Sequence, residues 1–302
     1  MDRRKDMQII DNLDFQLHET AVCIGKFDGI HKGHRLLVEE VKKGNLIPVM
    51  FTFAMSGGKN IYSQKEKHHL AEELGIEVVV EIPFDERFMH QSPQQFVTEV
   101  LVKRCGAKKV VVGTDFRFGH ARKGDAKLLQ EMGKQYGFET VIMEKLVEDG
   151  EVVSSTKIRE RIRQGKIEEA NALLGTPYRI TGKVEKGNQI GRTIATPTAN
   201  IVPDSVKELP PYGVYAVIVS VEGKQYGGIS NLGVKPTISA NNAVGLETWL
   251  FDASLNLYDK QITVFLIAFQ RPEQKFASIE SLQEQIKEDT VQAKELLKKA
   301  FC

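Results

Sequence analysis

The sequence predicts two parts: a doubly wound α/β domain over residues 1–176, then a six-stranded antiparallel β-barrel with a C-terminal helix over 177–302. Three observations carry this. Apolar strand-like runs alternate with helical stretches up to about residue 145, which is the pattern of a parallel sheet covered on both faces. After Pro177 the texture changes to short strands with turn signals ending in one amphipathic helix, residues 279–299. A length of 302 residues also exceeds most single compact cores.

In chain order, AVCI (21–24) reads as a buried strand, and Leu36, Leu37 and Val41 mark one face of the helix that follows. LIPVMFTF (46–53), EVVVEIPF (77–84), KKVVVG and ETVIMEKL supply further strands. Helices are expected at 65–74, 93–104 and 127–136. KIEEANALLG (166–175) is a short helix stopped by Gly175 and Pro177, which sets the domain boundary. In the barrel, VEGKQY is a hairpin turning at Glu222-Gly223.

Composition narrows the function. With 41 basic and 40 acidic side chains the net charge is +1, so no global field favours nucleic acid or an anionic membrane. No apolar run approaches the ~20 residues of a membrane span, and no signal-peptide core is present. Cys23, Cys105 and Cys302 have neither metal nor redox spacing and read as reduced thiols of a cytoplasmic protein. All seven histidines lie at or before His120, so proton transfer in the second half falls to another base, a carboxylate.

The chain is organised around residues 21–43, where a strand passes through a glycine-punctuated loop into a helix N-terminus. Gly25 and Gly29 permit close approach or positive φ. Free N–H groups and the positive dipole end suit a phosphate. His31 and His34, three apart, reach one ligand with Lys32 beside them, and Gly33 leaves room for phosphate oxygens. A zinc site is the competing reading, but a third ligand is not evident nearby.

GKFDGIHKGH resembles the G-x-F-D-G-x-H-x-G-H signature of the nucleotidyltransferase module of bifunctional riboflavin kinase/FAD synthetases, and Phe27-Asp28-Gly29 narrows the likeness to the flavin branch. The resemblance implies a Rossmann-like nucleotidyltransferase fold for the first domain and a flavokinase barrel for the second. It makes Gly25, Phe27, Asp28 and Gly33 binding residues beside His31 and His34.

Three further segments gain meaning beside it. In GTDFRFG, Phe116 and Phe118 bracket a cation after Asp115; the residues alone read either as an Asp turn with core aromatics or as a base or flavin platform. The resemblance implies the second. Ser154-Ser155-Thr156 reads as a helix start, yet Lys157, Arg159 and Arg161 put cations where the dipole prefers acids. The similar S-S-T-x-I-R element of relatives binds triphosphate, which makes Arg159 and the hydroxyls site residues.

Gly187, Gly191, Arg192, Pro197, Thr198 and Asn200 lie in a loop where Thr198 and Asn200 are neutral oxygen donors facing one way. They are a plausible Mg²⁺–phosphate seat or an ordinary Pro/Asn turn. G-x-x-x-G-R-x-x-x-x-P-T-A-N is similar to the flavokinase signature, and Asn231-Leu232-Gly233 opens a second family element. Glu247 opens an apolar strand and reads as an edge guard or a functional carboxylate; the resemblance makes it the catalytic base.

The implied activity is ATP-dependent phosphorylation of riboflavin to FMN in the barrel and adenylylation of FMN to FAD, with release of pyrophosphate, in the first domain. Expected partners are riboflavin, FMN, FAD, ATP, ADP and pyrophosphate, with Mg²⁺ as cofactor, no tightly bound organic cofactor, no nucleic acid and no membrane. The expected state is a monomer or weak homo-oligomer. The chain departs from the family where T-F-x-P-H-P becomes Thr52-Phe53-Ala54-Met55-Ser56-Gly57, where Ala195 replaces a glycine, and in the turn at 252–259. Two alternatives stand beside this reading: a riboflavin kinase whose decayed first domain is a flavin- or nucleotide-binding regulator, and a nucleotidyltransferase with another phosphorylated acceptor.

Overall fold

The protein is described here by a computed structural model, covering residues 6–54, 57–185, 198–234, 244–251 and 255–300. The chain forms two compact units: Met1–Gly58 with Gln64–Ser155, and Lys59–Ser63 with Thr156–Cys302.

The first unit contains β1 (Gln8–Ile10), β2 (Thr20–Ile24), α1 (Lys32–Val41), β3 (Ile47–Ala54), α2 (Gln64–Glu73), β4 (Val78–Pro83) and α3 (Glu86–Met89). α4 (Pro93–Gln95) runs into a π-helix, Phe96–Arg104, then β5 (Ala107–Gly113), the ladder β6 (Arg117–Phe118) and β7 (Gly124–Asp125), α5 (Ala126–Tyr136), β8 (Glu139–Met143) and the ladder β9 (Val147–Glu148) and β10 (Glu151–Val152). The main sheet has the order β1-β4-β3-β2-β5-β8, and every pairing in it is parallel. From β2 the chain builds one flank and then crosses to β5, so the switch point of this doubly wound sheet lies between β2 and β5. Ligand crevices of such sheets open at the C-terminal ends of those strands.

Patterning explains these elements. β2 is buried along its whole length, TAVCI, as a central parallel strand requires. Val22, Ile24, Val49, Phe51, Val80, Val110 and Val112 form the core with Val97, Leu101 and Leu129. The expected helix over 93–104 is present, but most of it is π-helical, and the Cys105 amide reaches back to the carbonyl of Val100 at 2.8 Å. The edge strand β1 was not legible, because three residues are too few to show a strand period.

The second unit holds most of α6 (Ser155–Arg163), then α7 (Ile167–Leu174), β11 (Tyr178–Lys183), β12 (Thr198–Ile201), β13 (Gly213–Val221), β14 (Lys224–Val234), β15 (Val244–Leu250), β16 (Gln261–Pro272) and α8 (Ile279–Ala300). Gly175 caps α7 in the left-handed conformation, φ +75°, as its sequence predicts. The sheet order β11-β16-β13-β14-β15-β12 is antiparallel throughout. Its two edges meet at one antiparallel bridge, Glu185 with Asn200, which brings the sheet round into a barrel. The β13–β14 hairpin turns at Glu222 (φ +49°) and Gly223 (φ +75°), the left-handed pair a two-residue turn needs.

α8 lays Ala293 and Leu297 on Val214, Ala216, Ile218, Ile229 and Ile267. Arg271 of β16 holds α8 through Asp289, Nε to Oδ1 at 2.9 Å and Nη2 to Oδ2 at 2.7 Å. Residues 59–63 are bound into this unit by the buried Lys207, whose Nζ donates to the carbonyls of Ile61 (3.2 Å) and Arg179 (3.0 Å). That ammonium lies 4.9 and 4.8 Å from the ring centres of Tyr62 and Tyr178, so cation–π attraction replaces part of its lost hydration.

Candidate active sites

In the first unit the glycine-punctuated turn from β2 into α1 lies beside the switch point. The turn from β2 into α1 places Phe27 (φ +48°), Gly29 (φ +91°) and Ile30 (φ +39°) in left-handed backbone. For the buried Phe27 and Ile30 this is strain, of the kind that clusters at ligand-binding loops. His31 is the N-cap of α1, and its Nδ1 accepts the amide of His34 at 3.3 Å. The two imidazoles stack with centroids 3.7 Å apart, and Phe27 lies 5.1 Å from the His34 ring. Gly33 sits against them: a Cβ there would stand 3.2 Å from His31 Cε1. Gly25 packs against the Phe27 ring.

Burial pushes the His31 imidazolium down to about 4 and that of His34 well below its usual range, His31 adding to the effect on His34. Both rings are therefore neutral near pH 7. Because Nδ1 of His31 is an acceptor, its proton is on Nε2. His34 Nδ1 is buried with no partner among the described residues. The first turn of α1 carries no acid, which leaves its amide dipole free to face an anion.

Neighbouring segments close on this turn. Ser155 Oγ donates to the carbonyl of the buried Asp28 at 2.7 Å, and Ser154 precedes it at the helix start. Lys32 pairs with Glu148 at 2.8 Å, and Asp115 with Lys145 at 2.9 Å. Neither partner was foreseen, since Lys145 and Glu148 flank a turn with no motif of its own. Phe116 and Phe118 stack at 5.4 Å. Phe118 is buried against Phe96, so it plays the core role, while Phe116 is half-exposed beside the exposed Asp115. Thr156 and Arg159 fall in the second unit; Thr156 is exposed and Arg159 half-buried on α6.

In the barrel the register draws the predicted residues into a row. On β15, Glu247 lies opposite Asn200 of β12 on one side and Asn231 of β14 on the other, and directly opposed residues share a sheet face. Thr198, two residues from Asn200, occupies the same face opposite Trp249. On the other face, Ser230 and Thr248 share a hydrogen bond of 2.7 Å. Thr198 and Asn200 offer neutral hard oxygens within one row of a carboxylate, a donor set that fits Mg²⁺. Asn231 Nδ2 donates to Glu273 Oε1 at 2.9 Å, and that carboxylate rests on Gly233. Gly187, Gly191, Arg192 and Pro197 lie outside the described residues, as do Met55, Ser56, Ala195 and 252–254.

Comparison with known proteins follows the same division. A FAD synthetase family model matches residues 14–157 and a riboflavin kinase model matches 174–297. The bifunctional riboflavin kinase/FMN adenylyltransferase of Escherichia coli is 38% identical over 95% of this chain and 96% of its own. The chain belongs to that bifunctional family. Members of the same description from Haemophilus influenzae (35%, covering 95% of this chain and 98% of theirs) and Pseudomonas fluorescens (32%, 96% and 98%) agree. A solved Streptococcus pneumoniae protein described as a macrolide-efflux protein has this fold over 95% of this chain and 98% of its own, at 29% identity and a TM-score of 0.82. No described helix here is long and apolar enough to cross a membrane.

The chain is thus an enzyme with both a riboflavin kinase and an FMN adenylyltransferase domain. The presence of both, with bifunctional relatives along the whole length, favours two working domains over a decayed first domain.

Proposed function

We propose that the barrel transfers the γ-phosphoryl group of ATP to the ribityl 5′-hydroxyl of riboflavin, giving FMN and ADP, and that the first domain joins FMN to the AMP portion of a second ATP, releasing pyrophosphate. The observation that carries the residue assignment is Glu247 standing in register between Asn200 and Asn231. A carboxylate flanked by two carboxamides on one face is placed to take a hydroxyl proton while its neighbours hold the polar ends of the substrates. Thr198 and Asn200 would hold Mg²⁺, with Gly187, Gly191, Arg192, Pro197, Asn231 and Gly233 forming the rest of the kinase site. When bound, the ion would neutralise phosphate charge.

In the adenylyltransferase no base is required, because the attacking FMN phosphate is already an anion. His31 Nε2–H, the amides of the α1 N-terminus, His34 and Ser155 supply donors where charge builds on the α-phosphoryl and the departing pyrophosphate. Gly25, Phe27, Asp28, Gly33, Asp115, Phe116 and Ser154 bind the nucleotide and flavin. Of the aromatic pair, we assign the ring platform to Phe116, because Phe118 is buried against the core.

We place the functional boundary at 176/177, close to residue 174 where the riboflavin kinase match begins. We place the enzyme in the cytoplasm as a monomer or weak homo-oligomer; Cys23 and Cys105 are buried free thiols raised by burial, as a reducing compartment allows. The test is Glu247→Gln assayed with each substrate. Riboflavin phosphorylation falls by about two orders of magnitude or more, in line with general-base losses, while FAD formation from supplied FMN continues. Unchanged phosphorylation would remove Glu247 from its role.

A further inference from the structure

Glu273 follows the last residue of β16 and is exposed. A single hydrogen bond on an exposed carboxylate adds little to stability, yet two independent features fix this one. Its Oε1 accepts from Asn231 Nδ2 at 2.9 Å. Its carboxyl group also lies on the backbone of Gly233: a Cβ there would overlap Oε1 and stand 2.6 Å from Cδ. Only a residue without a side chain leaves the carboxylate in that place, so the glycine makes the seat and the asparagine holds the occupant.

Asn231 connects this seat to the kinase row, because it lies directly opposite Glu247 across β14 and β15. A carboxamide carries its donor and acceptor on opposite sides, and rotation by half a turn exchanges them. A carboxylate partner accepts only from the amino side. Glu273 therefore chooses one of the two orientations of Asn231 and sets where Oδ1 points on the face shared with Glu247.

We propose that Glu273 is a positioning residue of the kinase site: by holding the amino group of Asn231, it fixes Oδ1 as an acceptor for a hydroxyl of the polyol chain that Glu247 deprotonates. This rests on the reading of Glu247 as the proton acceptor. Oδ1 takes a hydrogen bond from one chain hydroxyl, and the terminal hydroxyl is held toward the carboxylate. Residue type and sequence position gave no sign of this; the signal is spatial, a glutamate at the end of β16 lying over a glycine of β14, with β13 between the two strands.

The test uses the full-length enzyme and measures riboflavin phosphorylation, with FAD formation from supplied FMN as a control in every variant. Glu273→Ala lowers kcat/KM for riboflavin by about tenfold, the scale of losing one charge-assisted hydrogen bond, and leaves KM for ATP unchanged. Glu273→Gln, whose Oε1 still accepts from Asn231, retains activity within about threefold of wild type on the same scale. Gly233→Ala displaces the carboxylate and matches Glu273→Ala; the double variant, free of the clash, is no worse than Glu273→Ala. Wild-type kinetics in Glu273→Ala, or Glu273→Gln as poor as Glu273→Ala, would overturn the proposal. A failure of the underlying reading is distinct: Glu247→Gln, run beside these variants, would then phosphorylate riboflavin normally.

Discussion

Replacing Glu81 by leucine tests whether a buried charge cluster holds the adenylyltransferase sheet. Glu81 is 2% exposed on β4, opposite Thr52 of β3. It accepts from Lys67 Nζ, His68 Nε2 (2.7 Å) and Gln64 Nε2 (2.6 Å), all on the first turns of α2. Burial alone would raise its carboxyl, but the bonds from His68, Lys67 and Gln64 outweigh burial and hold it at about 2, against an ordinary 4.5.

At about 1.4 kcal/mol per unit that depression is worth roughly 3 kcal/mol. Removing one partner of a buried pair costs about 3–5 kcal/mol by a separate route, because the other charge is stranded. For a unit of this size 1 kcal/mol corresponds to about 2–4 °C, so Glu81→Leu lowers the melting temperature of the first unit by about 6–20 °C. Lys67→Met/Glu81→Leu recovers most of this, since no stranded ammonium remains.

Acid acts in the same direction. The carboxylate's contribution is complete above pH 4.5 and is lost as pH falls towards 2. The assay is thermal unfolding followed by loss of FAD formation from FMN, so that only the first unit is read. A Glu81→Leu melting temperature within about 2 °C of wild type, roughly the shift of 1 kcal/mol, would refute the reasoning.

Three further outcomes are expected. Gly33→Ala presses a methyl group onto the His31 ring and lowers FAD formation from FMN by about 10- to 100-fold, the scale of a small misplacement, while riboflavin phosphorylation stays unchanged; steady-state assays with each substrate check this. Because burial lowers His31 from 6.5 to about 4, the unfolded chain takes up that proton first. Stability attributable to this group is complete above pH 6.5 and falls by roughly 3 kcal/mol towards pH 4; His31→Asn, which keeps a capping side chain, flattens that part of the denaturation–pH profile. Arg271→Met strands Asp289, which is 2% exposed on the inner face of α8, and destabilises the barrel by about 3–5 kcal/mol, read as earlier thermal loss of kinase activity with FAD formation from FMN unaffected.

The fold was legible wherever hydrophobic period and turn chemistry agreed. The buried β2, the cap Gly175 and the Glu222-Gly223 turn all follow from local rules. The π-helical backbone of 96–104 was not legible, because it shares a helix-forming composition with an α-helix and differs only in where the amides bond. At the sites, His31 and His34 announced themselves by spacing. The Asn200–Glu247–Asn231 row could not, since Asn200 and Asn231 stand 47 and 16 residues from Glu247 in the chain, and only strand register unites them. Phe116 and Phe118 look alike in sequence, and burial alone separates them. Lys145, Glu148 and Glu273 carry no motif, and their importance comes from partners supplied by a loop, a helix and a strand distant in sequence.

The most direct test of the central claim, two independent transfer sites acting in succession, is complementation between two inactivated enzymes. Glu247→Gln and His31→Ala/His34→Ala are each incubated with riboflavin, ATP and Mg²⁺, alone and mixed, and products are followed by chromatography. The account predicts that the first variant leaves riboflavin unchanged but converts supplied FMN to FAD, that the second accumulates FMN, and that the mixture makes FAD from riboflavin. If the histidine variant fails to make FMN, or the Glu247 variant fails to make FAD from FMN, the two chemistries do not belong to separate sites and the account is contradicted.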